Sequence, residues 1–72
     1  MDRAERSAVE AIRTQAEILD LHGEDASDAL NELIRTGFAS PGDNPDEVAA
    51  RVRKMTDAEI LFHLARIRNH RQ

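Results

Sequence analysis

The chain has 72 residues, no cysteine, two phenylalanines in place of any larger ring, and a net charge of −4. That length makes a single domain, residues 1–72, and the missing thiols exclude disulfides and thiolate-held zinc or iron–sulfur centres. No apolar run nears the ~18 residues of a membrane span, and the opening MDRAERSAVEAIR lacks a signal peptide's apolar core, so a soluble, cytoplasmic chain without membrane contact is expected.

The charge is uneven. Residues 1–43 hold ten Asp or Glu against four Arg, a net of −6, while residues 44–72 hold six bases against four acids, a net of +2. Such asymmetry favours head-to-tail association or a charged partner, although solvated faces of a small helical protein look the same.

The first helix is predicted from Asp2 or Arg3 to Leu21. Asp2 and Glu5 lie at its start, where the helix dipole favours anions. Val9, Ile12, Ala16 and Leu19 recur at steps of three, four and three, the seam spacing of helix-on-helix packing, and Ala8 and Ile18 widen the stripe. Gly23 is expected to supply a left-handed stop. The second helix follows at once, with Asp25 as its cap and Ala26, Ala29, Leu30, Leu33 and Ile34 as its apolar stripe. Gly37 stops it, and Phe38 is placed to fold back on Leu33. So short a connection makes these two helices an antiparallel hairpin.

Ala39–Asp43 reads as a turn punctuated by Pro41 and Gly42, and as the most mobile segment. Asn44 caps the third helix with Pro45 in its first position and Glu47 closing a capping box. Val48, Val52 and Met55 face inward beside Ala49. The helix must end near Lys54, because Thr56 and Glu59 form a second capping box for the last helix, with Met55 and Ile60 as its hydrophobic staple.

That last helix carries the densest apolar content and is expected to be the one the others pack on. At about 100° per residue, Ile60, Leu61, Leu64 and Ile67 fall together, with Ala58, Phe62 and Ala65 extending the arc. The arc is roughly twice the ~100° stripe of an ordinary surface helix, so it needs two partners. A core below ~70–80 residues rarely supplies more than ~3–5 kcal/mol, which points to a second copy of the chain as one of them.

Chemistry is sparse. Glu59 and His63 share a face with His70, but the two histidines are ~10 Å apart along the axis, too far for one ion. Nucleophile-elbow, HExxH, P-loop and GxGxxG patterns are absent, so no enzyme, metal or cofactor is expected. Arg51, Arg53, Lys54, Arg66, Arg68 and Arg71 are candidate nucleic-acid contacts, and the KMTD corner has the geometry of a helix-turn-helix turn, but the acidic whole opposes phosphate binding. The acid-rich first half offers a further alternative, an inhibitor that mimics a phosphate backbone. LIRTGF followed by two short helices resembles the small–Gly–Phe turn after the first helix of ubiquitin-associated domains. The resemblance spans about half the chain and carries over no binding residue.

The reading is an all-α, small four-helix domain, a helical hairpin packed on a tightly cornered helix pair. It is expected to be a non-enzymatic protein-interaction module that pairs with itself, with Val9, Ile12, Phe62 and Ile67 at or beside the contact. The alternative is a small DNA-binding regulator using the basic C-terminal half.

Overall fold

Four helices and no strand make up the described part of the chain: α1 (Arg3–Asp20), α2 (Ala26–Arg35), α3 (Pro45–Lys54) and α4 (Asp57–His70). The computed structural model describes residues 2–70, with side chains as far as Ile67.

Each helix begins at a residue able to replace the hydrogen bonds that its first turn lacks. At α1 the Glu5 N–H donates to the Asp2 carboxylate at 2.8 Å, and the Asp2 N–H donates back to Glu5 Oε1 at 3.1 Å, closing a capping box. The expected box at α4 forms as well: the Thr56 N–H donates to Glu59 Oε1 at 2.9 Å, and the Glu59 N–H to Thr56 Oγ1 at 3.1 Å. At α3 Asn44 Oδ1 accepts from Asp46 and Glu47 at 2.8 and 3.4 Å, so the cap rests on Asn44 rather than on a return bond from Glu47. Asp25 occupies the cap position of α2 but with helical torsions and no side-chain bond; the entry turn is closed instead by the Ala26 N–H on the Gly23 carbonyl at 3.2 Å.

The two helix stops differ. Gly37 takes φ 83°, its N–H bonds the Ile34 carbonyl at 3.0 Å, and the Phe38 N–H bonds the Leu33 carbonyl at 2.8 Å. These are the two bonds of a Schellman ending. Phe38 and Leu33 are both buried in one core cluster. After α1 the left-handed residue is His22, at φ 55°, and not Gly23. The His22 N–H bonds the Leu19 carbonyl at 3.3 Å and its Nε2 lies 2.8 Å from Asp46 Oδ1, so tertiary contact holds a conformation that intrinsic preference assigns to glycine.

The core corrects the expected centre of the fold. Val9, Ile12, Ala16 and Leu19 of α1, Ala29 and Leu33 of α2, Phe38, and Val48, Ala49 and Val52 of α3 are buried together, and α4 adds only Ile60 to them. α1 packs against each of the other three helices. α1 is therefore the hub, and α4, the helix expected to be the centre, is the least covered. Composition does not decide this, because a helix is buried by how many partners it can reach, and α1 at 18 residues is the longest.

Candidate interaction surface

Three side chains fix the posture of α4. Arg13 of α1 reaches the corner before α4, its Nη2–H donating to the Met55 carbonyl at 3.0 Å and meeting Asp57 Oδ1 at 2.5 Å. Nearly two turns further along α4, His63 donates its Nε2–H to the Gly37 carbonyl at 2.7 Å. A carbonyl only accepts, so this bond assigns the proton to Nε2. The imidazole also stacks on Phe38, with centroids 4.6 Å apart and planes 30° apart. Ile67 lies over Gly37 so closely that a β-carbon there would collide with its Cδ1. His63, which by helical spacing shares a face with Glu59 and His70, is thus half-buried and engaged.

Between these anchors the outer side of α4 is open. Phe62 is 67% exposed, and Ala58 and Ala65, one turn to either side, are exposed with it. Leu61 and Leu64 are partly buried against the core. Beside them runs a groove of about 300 Å³ lined by Ala4, Ala8, Leu61, Leu64 and Ala65, with Asp2 and Glu5 at its end. Leu21 is more exposed still, at 78%, but it stands singly at the end of α1.

The four expected contact residues separate cleanly. Val9 and Ile12 are 3% and 6% exposed and belong to the core of the single chain, which corrects their placement at an interface. They were legible as a seam, and the seam is filled from within. Ile67 is half-buried on Gly37, and Phe62 alone is open.

The basic candidates are similarly divided. Arg51 donates to the Phe38 carbonyl at 3.0 Å and lies 3.4 Å from Asp43, tying down the Ala39–Asp43 turn, which the Ser40 N–H also closes on Asp43 at 2.8 Å. Arg53 pairs with Asp20 of α1 at 3.0 Å. Lys54 and Arg66 are exposed, and the Arg68 and Arg71 side chains lie outside the described residues. Two of the six guanidinium or ammonium groups are thus turned toward the protein's own acids, which leaves Lys54 and Arg66 as the candidates exposed among the described side chains.

The metal candidate fares no better. Glu59 is held in its cap, where the Thr56 N–H and then the Thr56 hydroxyl keep its carboxyl below the ordinary value of 4.5. Among the described residues no group of His, Asp or Glu is arranged to hold an ion. None of their buried side-chain polar atoms lacks a partner. No described helix is long and apolar enough to cross a membrane.

Sequence reasoning missed Arg13 and the groove. Arg13 carries no local signal, because its partners are 42 and 44 residues away. Ala4 and Ala8, spaced by one turn, were the available hint of a close helix approach. No family model, curated protein or solved structure matches the chain.

Proposed function

We propose that the chain is a non-enzymatic protein-interaction module that associates with itself, and that the outer face of α4 is its contact surface. One observation carries this: Phe62, a large apolar ring, stands 67% exposed beside a groove lined by alanine and leucine with Asp2 and Glu5, on a helix anchored at its start by Arg13 and at its middle by His63. An exposed aromatic bordered by aliphatic surface is the composition of a contact anchor, since aromatics are enriched where protein interfaces form and are flanked by less energetic residues that exclude water. The rigid backing favours association as well, because less freedom is lost on docking.

Sedimentation velocity across about 1 to 100 μM tests it, micromolar affinity being the regime of a small interface. The wild type sediments increasingly fast with concentration. Phe62→Asp stays monomeric with an unchanged helical circular dichroism spectrum, since the ring it removes contributes little to the core. A wild type that remains monomeric at the top of that range, or an aspartate variant that associates equally well, refutes the proposal.

A further inference from the structure

Resting on that reading, we infer that the outer face of α4 meets the same face of a second copy running antiparallel, in a closed two-fold pair and not an open head-to-tail chain.

Ala58, Phe62 and Ala65 recur at steps of four and three, the spacing of a helix–helix seam, and all three are exposed. Turned end for end about an axis near Phe62, the surface sets ring beside ring and each Ala58 opposite the other copy's Ala65, where methyl-sized side chains let the helices approach. The groove lined by Ala4, Ala8, Leu61, Leu64 and Ala65, with Asp2 and Glu5, adjoins this stripe at Ala65. A stripe that matches itself when turned end for end is self-complementary, the requirement for an isologous two-fold interface, and it closes at two copies.

Charge decides the direction. The exposed Glu59 precedes Phe62 and the exposed Arg66 follows it, seven residues apart. A parallel pair sets Glu59 against Glu59 and Arg66 against Arg66. An antiparallel pair centred near Phe62 sets each Arg66 beside the other copy's Glu59, and it opposes the two helix dipoles. The contact is one helix face wide, at the small end of protein interfaces, which places the affinity in the micromolar range.

Cysteine cross-linking tests the arrangement against a background free of native thiols. An axis near Phe62 brings position 58 of one copy within a turn of position 65 of the other, while each position lies on the order of 10 Å along the axis from its own counterpart, beyond the ~7 Å Cα separation a disulfide spans. Oxidised mixtures of Ala58→Cys and Ala65→Cys chains therefore give a mixed covalent dimer on a non-reducing gel, and neither variant alone does. Arg66→Glu, which leaves the groove intact, weakens association about three-fold for each of the two symmetry-related pairs, near ten-fold together. Cross-linking of either variant with itself but not with the other establishes a parallel pair and overturns this inference alone. Sedimenting species that grow past two copies overturn the closed pair alone, and a strictly monomeric wild type overturns the underlying reading with it.

Discussion

Gly37 and Gly23 look alike in the sequence, each one or two residues past a helix end, yet the backbone asks different things of them. Gly37 holds φ 83° under Ile67, whereas Gly23 has no positive φ and open space where a β-carbon would go. Gly37→Ala therefore costs about 1–2 kcal/mol from its left-handed backbone, with a further loss as Ile67 is displaced. Gly23→Ala is neutral or slightly stabilising, because alanine restricts the unfolded chain at no cost to the folded one. Thermal melts of the two variants check this, and equal melting temperatures contradict it. The left-handed residue that does follow α1, His22, gave no sign of itself, since what holds it is Asp46 in the first turn of α3. Local spacing shows where a helix must stop. It does not show which residue bears the torsion when a distant side chain takes part.

At the scale of elements, the helix starts were the most legible feature, because a cap and its partner are three residues apart and need nothing else. Thr56 and Glu59 illustrate this, and they give α4 a dependence on acidity. The lowered pKa of Glu59, caused by the Thr56 N–H first and the Thr56 hydroxyl second, means that the folded state favours its ionised form. Such a group adds stability above its unfolded titration range, and that contribution is lost as pH falls through the folded value. Melting temperature should accordingly fall more steeply on acidification for the wild type than for Glu59→Gln, which keeps an acceptor for Thr56 but does not titrate. Parallel curves below about pH 4.5, the region where ordinary carboxylates protonate, contradict this. The apolar faces of the helices were legible too. Their partners were not, since the seam of α1 is equally suited to a neighbour within the chain and to one outside it.

The whole molecule reverses the weighting that composition suggests. The wide apolar arc of α4 suggested a central helix, but the core is built on α1, and the outer face of α4 remains open. The expected mismatch between apolar surface and covering chain thus persists in part, reduced to Phe62, its two alanines and the adjoining groove. The proposed self-association would stabilise only the folded form, so the melting temperature is expected to rise with protein concentration in the wild type and not in Phe62→Asp. Calorimetry at two concentrations on the order of 100-fold apart, spanning a micromolar dissociation constant, distinguishes the two cases; a wild type insensitive to dilution speaks against association.

The placement of the hub also bears on how the protein comes into being. Synthesis delivers α1 before the helices that cover Val9, Ile12, Ala16 and Leu19. α2 follows within a few residues, but Val48 and Val52 emerge some thirty residues after Leu19, and Ile60 later still. A growing polypeptide therefore carries a half-clad greasy stripe until α3 and the start of α4 have left the ribosome, and an abortive product ending in the Ala39–Asp43 turn would be a sticky fragment without the residues that cover α1.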